Sequence, residues 1–493
     1  MRTGEKERVL SPRQTERTNR PRVHLRKMIK FNELGENVDV IRDYAEQSEV
    51  QFCDISVGVK YMWRDDFVID YAVYNGTLIL RESCPDYKDS FYYPMGKDVS
   101  GALKEIENYC KTENIPLSFC CLDEAAKDKL SAIYPFAEFS FYRAWSDYIY
   151  NALDFVTYAG KKFSGQRNHV NKFRKTYPDY KVKPLTENDL PRVYEFLKEY
   201  ERETVVSMWS EQEEEKKVAD YIGRAFALKQ LGCYIEVNGK IVALSVGEIV
   251  KDTLIVHVEK GLKSYAGVYP AMANEFAKAF VTDEVKYINR EEDCGDPGLR
   301  VSKTQYHPVL IKNKYTGRVK TAFDNIQPPI SVKTERLVID DIAEKDGDAY
   351  AALYTDGEIN EYYGYDYRED IGDAAPTPEY FLSFMRGLKE KKEEYSVAVR
   401  KDGVMIGELV LYNFGFRGEA EIGFRFFKDS RGKGYAAESV GAFIAAGREK
   451  FGITRVNCRA YKKNAPSVRL IERLGFTLTG ETADMAYYVK ELR

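Results

Sequence analysis

The stretch Ala420-Glu421-Ile422-Gly423-Phe424-Arg425-Phe426-Phe427 runs directly into Lys428-Asp429-Ser430-Arg431-Gly432-Lys433-Gly434-Tyr435-Ala436, and this junction decides how the C-terminal part of the chain is read. The first eight residues read as a strand. After the loop, apolar Ala437, Val440, Phe443 and Ile444 recur at helical spacing. A helix start beside a glycine-bearing loop presents unpaired N–H groups and the positive end of the helix dipole, which suits a phosphate or pyrophosphate. Gly432 and Gly434 leave no Cβ in the way of an approaching phosphate, and Arg431 and Lys433 add positive charge. A turn that needs glycine for geometry alone has the same local pattern, so the surroundings must decide.

Working outward, residues 334–340 (TERLVID) read as a strand, Asp346 to Asp356 and Pro378 to Lys392 as helices, and YSVAVR and MIGELVLYNF as strands joined by an Asp402-Gly403 turn. A helix Ala436 to Phe451, a strand Arg455 to Ala460, a helix Ala465 to Leu474 and a strand near Ala486 to Val489 complete the block. Helices and strands mixed in this order predict an α/β (α+β) sandwich around one sheet. Upstream, Asp324 to Thr334, with Pro328 and Pro329, reads as a linker.

The whole chain has 493 residues, 44% hydrophobic and 31% charged, with a net charge of -4. At roughly 150 residues per domain this predicts about three soluble domains and excludes a disordered chain. No run of residues is long and apolar enough to span a membrane, and no signal segment is present, so the expected location is cytoplasmic. The eight cysteines show no CxxC pairing, and reduced thiols with no metal are expected. The near-neutral total hides a contrast. Residues 1–27 hold nine Lys/Arg against three Glu, leaving about -10 for the remainder. This leader reads as disordered; it is a basic arm for RNA, a plain extension, or upstream sequence preceding a start at Met28.

The spacing Arg431-x-x-Gly434-x-Ala436 resembles the pyrophosphate loop of the GNAT acyl-CoA N-acyltransferases. Thr334-Glu335-Arg336-Leu337, Asn464-x-x-Ser467 and Leu474-Gly475-Phe476 resemble the ribosomal-protein N-acetyltransferase branch of that family. The resemblance spans about 331–493. It implies acetyl-CoA as co-substrate, a primary amine on a small molecule or protein as acceptor, and direct attack on the thioester with no covalent enzyme intermediate. Under it, Arg431, Gly432, Lys433, Gly434, Tyr435 and Ala436 hold the pyrophosphate, Asn464 contacts the pantetheine arm, and Ser467 lies near the sulfur. Helix capping is the competing role for Asn464 and an early-helix hydroxyl for Ser467. The base is expected at Glu421, or at Glu408 on the neighbouring strand, against simple solvation of both. Tyr487 and Tyr488 are alternative acids or core residues.

Residues 28–320 carry a second resemblance. Trp145 to Tyr150, Gly160-Lys161-Lys162, Gln166 to Phe173, Val256 to Lys260, Ile288 to Arg300, and Lys303, Tyr306 and Pro308 look like soluble relatives of the lysylphosphatidylglycerol synthase catalytic domain. That implies two GNAT-like lobes, about 28–150 and 151–327, and so three mixed-sheet units in all, two in an N-terminal tandem and one at 331–493. It also implies aminoacyl-tRNA as a possible partner, with a lipid acceptor disfavoured because no membrane-embedded half accompanies the block. The basic run Lys161, Lys162, Arg167, His169, Lys172, Arg174 and Lys175 could grip phosphates or form a solvated face. His257 and Glu259 alternate on a strand and are expected to share one face. With Arg290, Asp293, Arg300 and Lys303 they make a possible second site or a structural ion-pair network. The loop Ser264 to Tyr269, at the position of the 431–436 loop, keeps Gly267 but has lost the basic first residue and the small last one. No comparable loop occurs in 28–150, which reads as scaffold.

Overall fold

A computed structural model describes residues 29–35, 37–48, 52–84, 87–203, 209–363, 367–371 and 375–492; the expected basic leader lies outside them. The chain forms two compact units, one running to Arg318 apart from Ile133–Phe136, the other from Val319 onward.

Three mixed sheets are built on one plan, each with a parallel strand pair. Tyr87–Phe91 lies parallel to Leu117–Leu122, Thr253–Gly261 to Tyr287–Asn289, and Glu419–Phe426 to Arg455–Tyr461. A helix connects the strands of each pair: Val99–Glu113, Val268–Phe280 and Tyr435–Phe451. A parallel pair needs such a crossover because a hairpin cannot return the chain in the same direction.

In the first unit the two lobes exchange strands. Asp147–Asn151 sits in the second sheet beside Tyr287–Asn289, while Tyr315–Val319 returns to the first sheet between Leu117–Leu122 and Ala137–Phe141. The expected division at 150/151 therefore falls inside a strand of the second lobe.

The C-terminal sheet runs Ser331–Lys333, Val338–Asp341, Glu394–Lys401, Val404–Tyr412, Glu419–Phe426, Arg455–Tyr461, Met485–Glu491, Thr477–Glu481. Its two faces bury different partners. Ala420, Ile422 and Phe426 pack with Val440, Phe443 and Ile444 of the crossover helix. On the other face, Ala398 and Met405 pack under Tyr350, Leu353, Phe381 and Leu382 of the helices Gly347–Thr355 and Pro378–Glu390. The alternation of apolar residues along Glu419–Phe426 is what assigns it these two faces. Asp324 to Thr334 is not a free linker: Ile326 and Ile330 are buried in this core with Ala322 and Phe323, and Ser331–Lys333 is an edge strand.

Candidate active site

Parallel pairing between the central strands ends at Glu421 opposite Asn457. Beyond that point the two strands no longer bond to each other. The opening leads to the loop found in the sequence. Gly434 takes φ +83° as the residue before the helix Tyr435–Phe451, a left-handed conformation that favours glycine. Among the described residues the N–H groups from Gly432 to Ala437 have no protein acceptor, and residues 431–434 are exposed. A Cβ at Gly432 would meet nothing within 4 Å. These residues therefore fit a pyrophosphate group: a row of free donors at a helix N-terminus with basic Lys433 beside it. Arg431 is turned partly inward, donating to Phe426 O at 3.1 Å and pairing with Glu358 at 3.4 Å.

The helix start is held from behind. Glu438 accepts from Thr334 Oγ1 at 2.6 Å, Arg336 N at 3.0 Å and Arg336 Nε at 2.7 Å, and Arg336 Nη1 donates to Lys433 O at 3.1 Å. The Arg336 guanidinium also covers the Tyr435 ring at 4.8 Å. Burial pushes the Glu438 carboxyl up, but these donors outweigh it and hold it below its ordinary range. Residues 334–337 thus clamp the loop, a role that their position a hundred residues upstream conceals.

Asn464 accepts from Ser467 N at 3.3 Å and so caps the helix Ala465–Arg473. Capping leaves its amide N–H₂ available. Glu421 is 9% exposed and accepts from Tyr412 OH at 2.7 Å and Asn413 Nδ2 at 2.8 Å, with Arg459 Nε at 3.0 Å. Glu408 is 1% exposed; Tyr350 OH reaches one oxygen at 2.9 Å and Arg425 Nε the other at 2.7 Å. The expectation that Glu408 faces the cleft is therefore corrected: both of its oxygens are taken up inside the fold. Tyr488 is a core residue, whereas Tyr487 is only partly buried.

The equivalent helix starts in the other lobes are closed. Asp98 places its carboxylate on Gly101 N at 2.9 Å, so an anion already caps Val99–Glu113. Gly267 has φ +84°, the counterpart of Gly434, but its ideal Cβ would lie 2.5 Å from His169 O, because the helix Ser164–Thr176 packs against it. In that lobe the strands part after Ile255 opposite Asn289, and the gap holds an ion pair. Arg290 Nη2 donates to Glu259 at 2.7 Å, and its guanidinium lies 4.8 Å from the Tyr306 ring and 5.7 Å from that of Phe155. Protein side chains occupy the place where the C-terminal domain has an opening.

The residues grouped as a second site separate into distinct networks. His257 and Glu259 do not share a face. The register slips between Val246 and Gly247, so His257 is an extra residue in its strand, a bulge that reverses the alternation beyond it. His257 Nδ1 meets Glu291 at 2.7 Å and Nε2 meets Glu248 at 3.1 Å, beside Gly58. Burial alone would lower its pKa, but the two carboxylates outweigh it and raise it to about 9. Asp293, wholly buried, accepts two bonds from Arg300 at 2.8 Å and one from Tyr148 OH at 2.6 Å. Lys303 Nζ donates to Arg290 O at 2.5 Å and to Glu292 O.

Cys53, Asp147 and Glu292 bring together donor atoms of a kind that bind metals, but the Lys314 ammonium is among them. It lies 2.7 Å from Asp147, 3.3 Å from Glu292 and 3.2 Å from Cys53 Sγ, and it pairs with Asp54. Burial pushes the Cys53 thiol up, away from the thiolate a metal would need. Of the basic run, Arg167 is bound to Tyr158 O and Gly160 O, Lys162 to Asp154 and Arg174 to Glu275, while Lys161, His169, Lys172 and Lys175 are exposed.

Residues 47–317 match the family described as phosphatidylglycerol lysyltransferase, C-terminal, and residues 336–477 match the acetyltransferase (GNAT) domain. The chain is similar to an uncharacterized N-acetyltransferase, YnaD, of Bacillus subtilis strain 168, at 26% identity over 30% of this chain and 84% of that one. A second B. subtilis protein, the uncharacterized N-acetyltransferase YoaA, is 23% identical over 32% of this chain and 88% of that one. A solved structure of a conserved protein of unknown function from Bacteroides thetaiotaomicron is 31% identical, with a TM-score of 0.55, over 59% of this chain and all of that one. No helix among the described residues is long and apolar enough to cross a membrane. The chain belongs to the phosphatidylglycerol lysyltransferase C-terminal family, and with the GNAT domain that follows this part it is an acyltransferase that takes an acyl-CoA.

Proposed function

We propose that the C-terminal domain transfers an acetyl group from acetyl-CoA to a primary amine. The observation that carries this reading is the row of N–H groups from Gly432 to Ala437 with no protein acceptor among the described residues, at the start of the helix that follows the strand whose parallel pairing ends at Glu421. In this reading Lys433 and the loop N–H groups bind the pyrophosphate, and the amide of Asn464 meets the pantetheine arm. The amine attacks the thioester carbonyl, the C–S bond breaks, and the thiolate takes up a proton near Ser467. Glu421, fixed by Tyr412, Asn413 and Arg459, takes the ammonium proton through water. Thiol release from acetyl-CoA, followed with the full chain and a set of amine acceptors, tests this. Turnover that needs an amine supports it, and failure of acetyl-CoA to bind at all refutes it.

For the N-terminal pair of lobes we infer a recruiting role toward the acceptor, favoured by the filled gap at Glu259 and Arg290. Replacing His257 or Glu259 with Gln would then leave the acetylation rate unchanged for a small amine. A lost rate would favour chemistry in these lobes.

A further inference from the structure

Arg459 stands on the strand Arg455–Tyr461, two residues beyond Asn457, where parallel pairing with Glu421 ends. On its other side the strand is still paired, with Arg459 opposite Tyr487 of Met485–Glu491. Val456, Cys458 and Ala460 are buried in the core with the crossover helix. By alternation Asn457, Arg459 and Tyr461 occupy the other face, the one that carries Glu421. The Arg459 side chain leans back toward the end of the pairing, where its Nε lies 3.0 Å from Glu421 Oε1.

This guanidinium is only partly used and stays open to solvent. Its side chain is 20% exposed, against 12% for Glu421. A guanidinium has five N–H groups, and among the described residues its partners are Glu421 and the Tyr412 hydroxyl. None of its nitrogens is among the buried polar atoms left without a partner, so a donor without a bond here is reached by water. Glu421 does not depend on Arg459 alone for its position, because Tyr412 OH and Asn413 Nδ2 also bond it. The rings beside Arg459 are partly exposed as well: Tyr487 across the strand pair, and Tyr461, whose ring lies 5.8 Å from that of Tyr362. A permanent cation with spare donors, touching the carboxylate read as the base, is placed to take an anion.

We propose that Arg459 binds an anionic group of the acceptor, a carboxylate or a phosphate-type group. Resting on the acetyl-transfer reading above, this makes the acceptor an amine whose negative charge lies a few bonds from the reacting nitrogen, because the guanidinium touches Glu421 itself. Arg459 then determines specificity as well as helping to position Glu421.

The test uses the full chain with acetyl-CoA and four acceptors of one carbon skeleton: leucine, (1-amino-3-methylbutyl)phosphonate, leucinamide and 3-methylbutylamine. The expected result is a kcat/KM about tenfold or more higher for an anionic acceptor than for either neutral one, and which anion leads tells carboxylate from phosphate-type group. Arg459→Gln should raise KM for the anionic acceptors by about the same factor and leave KM for 3-methylbutylamine nearly as it was. A misplaced Glu421 shows instead as a loss of kcat shared by every acceptor. Arg459→Lys, which restores the charge without the fork, should recover part of the lost KM. Calorimetry of acetyl-CoA binding separates the two levels. If acetyl-CoA binds but anionic and neutral acceptors react alike, or none reacts, or Arg459→Gln raises KM equally for all of them, the Arg459 assignment is overturned while the acetyl-CoA reading stands. If acetyl-CoA does not bind, both fall.

Discussion

His257 shows how a charged group becomes part of a core. Glu248 and Glu291 bracket its ring, and their pull raises its pKa from 6.5 to about 9 despite burial. A histidine whose folded pKa exceeds its unfolded value adds stability in full below pH 6.5, and that stability is lost as the pH rises toward 9. Two and a half units correspond to about 3 kcal/mol. Urea denaturation from pH 6 to 9.5 should therefore show a falling stability, and His257→Gln should flatten that fall while lowering stability at pH 6. Glu292, which burial raises to about 7, contributes a loss of the same sign at lower pH, between 4.5 and 7. The sequence put His257 and Glu259 on one face because strict alternation is the only rule it offers for a strand. A bulge cancels that rule, and nothing in the local residue types announces one.

The strand, loop and helix from Glu419 to Phe451 form the element on which the cofactor reading rests, and it was the most legible part of the chain. Its glycines, basic residues and two apolar periods are all local signals. Two substitutions test it by different routes. Lys433→Glu places a negative charge at the exposed loop without disturbing a left-handed backbone position and should weaken acetyl-CoA binding at least tenfold with unchanged melting temperature. Arg336→Ala removes the bonds to Glu438 and Lys433. It should also weaken acetyl-CoA binding, measurably by calorimetry, although Arg336 carries no role in the sequence reading beyond a four-residue motif. The strand Thr477–Glu481 escaped detection for a different reason: it is an edge strand, mostly exposed, and so lacks the alternation of a half-buried one.

Three copies of one mixed-sheet plan fill the described chain, and they differ in what stands before the crossover helix. Asp98 caps the first, the helix Ser164–Thr176 packs on Gly267 in the second, and the third is open at Gly434. The length and the weak internal repeat were enough to suggest three such units. The strand exchange between the first two was not legible, because Asp147–Asn151 and Tyr315–Val319 pair with partners far away in sequence. The C-terminal start was also misplaced, since Ile326 and Ile330 are isolated apolar residues in a Pro-bearing stretch, yet both are buried in the core. The most direct test of this account is the stoichiometry of acetyl-CoA binding to the full chain by isothermal titration calorimetry. It should be one per chain, weakened at least tenfold by Lys433→Glu and unaffected by Glu259→Gln. Two or more sites per chain, or one site indifferent to Lys433→Glu, would contradict it.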